Sequence, residues 1–316
     1  MKLWITRPMT AAVEARARAE FDVDIRTDTG VLSRQEMQRA LRDYDVVVPT
    51  LGDLFSADVF ASVPDPRCRL LANFGVGYNH IDVRAAQAAG VAVTNTPGAV
   101  TDATADIAMT LILMSARRAG EGERLVRSGT WKGWHPTQML GQHVTGKTVG
   151  IVGLGRIGAA IGRRCHFGFG MTVLYTARSD KDPGYPVSRS TDLAAMAAEV
   201  DFLVVAVPGG AETRHLVDEE ILAAMQPHAH LINIARGEIV KEAALIAALN
   251  EGRIAGAGLD VYEFEPKVPE ALCALDTVTL LPHLGTATEE VRSNMGQMAL
   301  DNVAAFLAGK ALPNPV

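Results

Sequence analysis

The passage Thr148-Val149-Gly150-Ile151-Val152-Gly153-Leu154-Gly155-Arg156-Ile157-Gly158 constrains this chain more than any other. A short apolar run that reads as a strand leads straight into G-x-G-x-x-G, and the glycines open an amphipathic helical stretch over Arg156–Phe167. The rest of the chain alternates in the same way. Strand-like runs occur at Leu3–Thr6, Val23–Ile25, Val46–Pro49, Leu70–Asn73 and Val91–Thr94, then at Thr172–Tyr175, Phe202–Ala206, Leu231–Asn233, Ala257–Leu259 and Thr277–Leu281. Helix-like stretches such as Ser33–Arg42, Val83–Ala89, Leu193–Ala198, Asp218–Met225 and Glu242–Asn250 separate them. This alternation predicts an α/β fold with parallel sheets.

A chain of 316 residues, 48% of them hydrophobic, exceeds the usual size of one domain. A nucleotide-binding unit that begins near Thr148 and has ordinary dimensions runs to about Leu284. The long apolar helix expected over Thr101–Arg118 leads into it, and the last helix, about Glu289–Ala308, is left to pack back on the first domain. The expectation is therefore two Rossmann-like domains with a cleft between them: a discontinuous substrate domain, residues 1–99 plus 285–316, and a dinucleotide-binding domain, residues 100–284.

The net charge of −6 argues against a nucleic-acid partner, which would require a basic face. The longest apolar runs, such as Ile107–Met114, fall short of the roughly 20 residues that span a bilayer. Neither a secretion signal nor a membrane partner is expected. Cys68, Cys165 and Cys273 are widely spaced, which fits reduced thiols in a cytoplasmic protein. No metal site is expected: apart from His228-x-His230, at a strand start, no histidines have ligand spacing. The Met-rich stretch Val291–Leu300 reads as packing.

Each glycine of the motif has a separate task. Gly153 permits the tight turn, Gly155 lets the backbone approach a pyrophosphate, and Gly158 allows close packing of helix on strand. The helix N-terminus then offers free N–H groups to the anion. An NAD site usually carries Asp or Glu at the end of the next strand, but here the residues are Leu174-Tyr175-Thr176-Ala177-Arg178-Ser179. Arg178 can make a charge-assisted bond to a ribose 2′-phosphate, worth about 1.5–3 kcal/mol. NADP(H) is therefore expected over NAD(H), with Ser179 and Lys181 assisting Arg178.

Ligands of open parallel sheets bind outside the carboxyl ends of the strands. Arg236, Glu265 and His283 all lie just past such ends. Carbonyl reduction requires a proton donor, which suits His283; a carboxylate to orient the imidazole, which suits Glu265; and a cation to polarise the carbonyl, which suits Arg236. A surface ion pair or a helix cap would account for any one of them equally well.

At these residues the chain resembles the D-isomer-specific 2-hydroxyacid dehydrogenases. The resemblance covers nearly the whole sequence. It is carried by Gly75-Val76-Gly77-Tyr78-Asn79-His80-Ile81-Asp82, the Gly150–Gly158 passage, Asn233-Ile234-Ala235-Arg236-Gly237, Gly258–Pro266 and Pro282-His283-Leu284-Gly285-Thr286-Ala287-Thr288. It implies that His283 is the acid/base, Glu265 its partner, and Glu263 a solvent-exposed neighbour without that role. It further implies that Arg236 binds substrate, together with the backbone N–H groups of Val76 and Gly77. Thr104, Val207, Pro208, Thr213, Ile234, Ala235, Arg236, Asp260, His283 and Gly285 match positions that line the cofactor, as do Gly153–Gly158, with Leu154, Arg156 and Ile157 between the glycines.

Within that family the stretch Trp131-Lys132-Gly133-Trp134-His135-Pro136, with Ala177-Arg178, looks most like glyoxylate and hydroxypyruvate reductases. The implied activity is NADPH-dependent reduction of a small 2-oxo acid to the D-2-hydroxy acid. In such relatives an aromatic at the position of Trp134 reaches a partner subunit's substrate site, which together with the apolar Thr101–Arg118 helix implies a homodimer. Other specificities (D-glycerate, 2-ketogluconate, phosphite) and a cofactor-binding sensor or corepressor are the alternatives.

Overall fold

A computed structural model describes residues 1–316. The chain divides into two compact units, Met1–Val100 with Thr286–Val316, and Thr101–Gly285.

In the first unit, strands β1 (Lys2–Ile5), β2 (Asp22–Ile25), β3 (Val46–Val48), β4 (Leu70–Ala72) and β5 (Ala92–Thr94) alternate with helices α1 (Ala11–Glu20), α2 (Arg34–Asp43), α3 (Ala57–Ala61) and α4 (Val83–Ala88). The sheet order is β2-β1-β3-β4-β5, and every pair is parallel. Its central strands are buried along their whole length, because helices cover both faces. The chain returns to this unit as α12 (Glu289–Leu307), where Gly296 leaves room for Val13 of α1: a Cβ there would stand 2.5 Å from the Val13 side chain. The C-terminal segment is tied down as well, by the Asn302–Asn314 side-chain bond and by the Val316 N–H donating to the Val93 carbonyl.

The second unit contains α5 (Thr101–Ala116), α6 (Ala119–Arg127), β6 (Thr148–Val152), α7 (Arg156–Phe169), β7 (Thr172–Thr176), β8 (Ser188–Arg189), α8 (Leu193–Glu199), β9 (Phe202–Val205), α9 (Glu219–Ala224), β10 (His230–Asn233), α10 (Glu242–Asn250), β11 (Gly256–Leu259), α11 (Glu270–Cys273) and β12 (Val278–Leu280). Its sheet is also wholly parallel, in the order β12-β11-β10-β9-β6-β7-β8. The expected α/β architecture of two Rossmann-like domains is thus the one observed. Strand order reverses between β6 and β9, which puts the ligand-binding crevice of this unit at the carboxyl ends of those two strands.

The expected Thr101–Arg118 helix ends at Ala116, where the Gln142 N–H donates to the Ala116 carbonyl and Arg118 turns left-handed with φ 53°. Its apolar residues, Ala105, Ala108, Leu111 and Ile112 among them, belong to the core of their own unit. The apolarity of α5 therefore has an explanation inside one chain. By contrast, α6 has no buried residue, and Val126, Trp131, Trp134 and Leu140 on and after it are exposed. No helix is long and apolar enough to cross a membrane.

Candidate active site

The glycine turn after β6 has the geometry that its sequence demands. Gly153 has φ 98°, a left-handed conformation, and a Cβ on it would stand 2.6 Å from the Val207 side chain. A Cβ on Gly158 would lie 2.1 Å from the Gly153 carbonyl oxygen, so only glycine lets α7 start this close to the strand. Gly155 differs: nothing lies within 4 Å of the place its Cβ would take. Gly155 is also the N-cap of α7, with no side-chain cap and no acidic residue in the first turn. Uncapped N–H groups beside open space fit a pyrophosphate. Between the glycines, Leu154 is buried in the core while Arg156 is exposed.

The turn after β7 carries Arg178 and Ser179, both exposed. An acid does follow them, Asp180, but Arg189 of β8 engages its carboxylate at 2.9 Å and also donates to the Ala177 carbonyl at 2.8 Å. Tyr175 Oη accepts from the Lys181 N–H, closing the turn. After β9, the Thr213 hydroxyl donates to the Pro208 carbonyl at 2.7 Å and fixes the Pro208–Thr213 loop, which starts beside Val207.

Three further loops carry the ionisable residues. After β10, Asn233 shapes the turn: its side chain accepts from the Ala235 N–H and donates to the Arg236 carbonyl. Ile234 is buried, and Arg236 donates to the Ala235 carbonyl at 2.7 Å. Burial lowers the Arg236 pKa below the ordinary guanidinium range, against the opposing charges of Glu265 and Glu238. Gly237 lets this loop touch the next one: a Cβ there would sit 1.8 Å from the Tyr262 carbonyl carbon. After β12, the Asp260 carboxylate accepts from the N–H groups of Leu284 (2.6 Å) and Gly285 (2.8 Å), and the Asp260 carbonyl accepts from the His283 N–H. Thr104 of α5 donates to the Gly285 carbonyl at 3.1 Å. These bonds hold His283 in a left-handed conformation, φ 56°, that a non-glycine residue rarely adopts.

In that conformation His283 Nδ1 lies 2.9 Å from Glu265 Oε2, and both side chains are about one-third exposed, 30% and 31%. The Tyr262 N–H donates to the other Glu265 oxygen. Burial acts to raise the Glu265 pKa. The hydrogen bond and charge of His283, the Tyr262 N–H and the Arg236 charge outweigh it, and the carboxyl lies below its ordinary range. A carboxylate on Nδ1 leaves Nε2 as the imidazole atom available to a substrate.

Glu263 corrects a sequence expectation: it is not solvent-exposed. Its side chain is only 7% exposed and pairs with His215 (2.7 Å) and Arg214 (3.1 Å). The Glu242 N–H donates to it as well. Its partners lie in loops distant in sequence, and they pull it inward while its neighbour Glu265 turns to His283. No group of three or more His, Cys, Asp or Glu residues is placed to hold a metal ion.

Val76 and Gly77 follow β4 in the first unit, in a turn whose carbonyls are bonded to Asn73 and Asn95, two residues to which the sequence drew no attention. Trp134 is 79% exposed in the segment after α6, outside the cores of its own chain.

Comparison with known proteins agrees with this architecture. The family model for the D-isomer specific 2-hydroxyacid dehydrogenase NAD binding domain matches residues 109–285. Glyoxylate reductases from Thermococcus onnurineus and Thermococcus kodakarensis are each 43% identical across all of this chain, which spans 95% and 96% of their lengths. The structure of an NADPH-dependent glyoxylate/hydroxypyruvate reductase from Sinorhizobium meliloti, solved with NADP and malonate, superposes with a TM-score of 0.87 at 36% identity; the match covers 100% of this chain and 96% of that one. With a matching domain model, full-length relatives and the same two-sheet architecture, the chain belongs to the D-isomer specific 2-hydroxyacid dehydrogenase family.

Proposed function

We propose that this protein reduces a small 2-oxo acid of the glyoxylate or hydroxypyruvate type to the D-2-hydroxy acid, with NADPH as the preferred reductant. The observation that carries the reading is the His283–Glu265 pair, 2.9 Å apart, in the unit that also holds Arg236 and the glycine turn. The names of the full-length relatives support the substrate class.

In this reading the reduced nicotinamide supplies the hydride when bound. His283, protonated and oriented by Glu265, gives its Nε2 proton to the carbonyl oxygen as that oxygen gains charge. Arg236 polarises the same carbonyl and holds the carboxylate, which the Val76 and Gly77 N–H groups also bind. The N-terminus of α7 binds the pyrophosphate. Thr104, Pro208, Ile234, Asp260 and Gly285 shape the rest of the cofactor site. Arg178, with Ser179, takes the 2′-phosphate, and Arg189 supports the choice by pairing with Asp180, a carboxylate two residues on that would otherwise repel it.

The partner arrangement belongs to the same proposal: a homodimer in which Trp134 reaches the partner subunit's substrate site, supported by the uncovered apolar residues on and after α6. If Trp134→Ala leaves KM and kcat unchanged for every 2-oxo acid, the bridging role is wrong.

The deciding experiment is steady-state kinetics over a panel of 2-oxo acids with NADPH and NADH. The expected result is turnover of glyoxylate and hydroxypyruvate with kcat/KM higher for NADPH, and D-glycerate from hydroxypyruvate by chiral analysis. In Arg178→Ala the NADPH preference should fall by about 10- to 100-fold. A clear NADH preference of the unmodified protein would defeat the cofactor claim.

A further inference from the structure

Asn73 lies just past β4 and is fully buried. Its Nδ2 donates to two backbone carbonyls, those of Gly75 and Gly77, each at 3.0 Å. Its Oδ1 is 3.0 Å from Nε2 of His80, which is buried as well. Because Nδ2 is committed to carbonyls, Oδ1 must accept, so His80 Nε2 carries the proton and fixes which way the amide faces. Asn95, just past β5, donates its Nδ2 to the Val76 carbonyl at 2.9 Å. Two side-chain amides, joined at the Gly75 carbonyl by the Thr96 N–H at 3.1 Å, therefore hold three consecutive carbonyls of one turn.

A trans peptide unit points its C=O and its N–H in opposite directions. The unit whose carbonyl belongs to Gly75 carries the Val76 N–H, and the unit whose carbonyl belongs to Val76 carries the Gly77 N–H. Holding the first carbonyl on Asn73 aims the Val76 N–H away from Asn73; holding the second on Asn95 aims the Gly77 N–H away from Asn95. Neither N–H makes a hydrogen bond within the protein. A carbonyl that accepts a bond also polarises its peptide unit and makes its N–H a stronger donor. A free loop would lose this orientation by rotating either peptide plane.

We propose that Asn73, oriented by His80, and Asn95 are positioning residues that fix the two peptide planes whose N–H groups bind the substrate carboxylate. The inference rests on the reading in which Val76 and Gly77 hold that carboxylate. Asn73→Asp keeps the size of the side chain and its acceptor for His80, but turns an acceptor toward the Gly75 and Gly77 carbonyls. Asn95→Ala releases the Val76 carbonyl alone.

The test titrates oxamate, an unreactive 2-oxo acid analogue, into each protein saturated with NADPH. The expected result is an oxamate Kd raised at least about tenfold in both variants. KM for glyoxylate should rise in step, with kcat within about threefold and NADPH affinity unchanged. His80→Gln, which keeps a donor for Asn73 Oδ1, should retain more oxamate affinity than His80→Phe. A merely structural role would lower Tm and NADPH affinity without separating KM from kcat. If Asn73→Asp fails to fold, Asn95→Ala decides alone. An unchanged Kd in the folded variants overturns the inference, as does an unmodified protein that binds no oxamate. If the unmodified protein reduces no 2-oxo acid yet its oxamate affinity depends on these asparagines, the proposed function falls and the inference stands.

Discussion

His283 and Glu265 are joined through Nδ1 and Oε2 at 2.9 Å, and the histidine is held in place by a left-handed backbone. That conformation costs a non-glycine residue on the order of 1–3 kcal/mol, and the Asp260 carboxylate offsets it by taking the two N–H groups that follow. Asp260→Asn replaces one of those acceptors with a donor. It is expected to lower kcat by at least about tenfold while leaving the pair's residue types intact. Kinetics together with a melting curve separate this from simple unfolding.

Glu265 and Glu263 should separate cleanly. Glu265 lies below the ordinary carboxylate range; burial resists ionisation but the His283 bond and charge prevail. Since the folded value is depressed, its contribution is present above the ordinary carboxylate range and is lost as pH falls through the lowered value. Glu265 therefore remains ionised through neutral and mildly acidic pH. Glu265→Gln is expected to cost kcat with little change in Tm. Glu263→Gln removes the charge that His215 and Arg214 share, and should lower stability by about 1–3 kcal/mol with kcat per folded molecule retained. The opposite pattern would mean that the two acids have been assigned the wrong way round.

Two glycines of one motif should fail differently. Gly155→Ala meets no atom of the protein, so Tm should hold while NADPH affinity falls by about tenfold or more. Gly158→Ala puts a methyl group on the Gly153 carbonyl oxygen, and should destabilise the fold by about 1–3 kcal/mol. Equal NADPH affinity in Gly155→Ala and the unmodified protein would show that the open space at the head of α7 holds no pyrophosphate.

A pH effect on stability arises far from this chemistry. His230 is buried at the start of β10, 2.7 Å from the Ser115 hydroxyl and stacked on Phe202. Burial, with a smaller effect from His228, lowers its pKa from 6.5 to about 4. The unfolded chain therefore takes up this proton first as pH falls. The contribution is complete above about pH 6.5 and disappears toward pH 4, a change of up to about 3 kcal/mol. Tm of the unmodified protein should fall more steeply than that of His230→Gln over this window. Parallel curves would contradict the assignment.

Much of the fold was legible because its strands are buried on both faces. Val46–Val48 and Phe202–Val205 stand out as continuous apolar runs, and the need for glycine at 158 follows from a contact five residues away, the Gly153 carbonyl. Elements without such a signature stayed hidden. The strand Ser188–Arg189 has two exposed residues and exists only through pairing with β7, yet it supplies the guanidinium that neutralises Asp180. Glu263 looked solvent-exposed because its partners, Arg214 and His215, lie almost fifty residues away. Asn73 was unreadable for a related reason: its task is to hold carbonyls, and carbonyls have no residue type.

The central claim is that the His283 imidazole delivers a proton to the carbonyl oxygen. Its most direct test compares NADPH-dependent glyoxylate reduction by the unmodified protein and by His283→Ala, with NADPH affinity measured separately on both. The account predicts a loss in kcat of at least about 100-fold with NADPH affinity unchanged. Turnover of His283→Ala within a few-fold of the unmodified protein would contradict it.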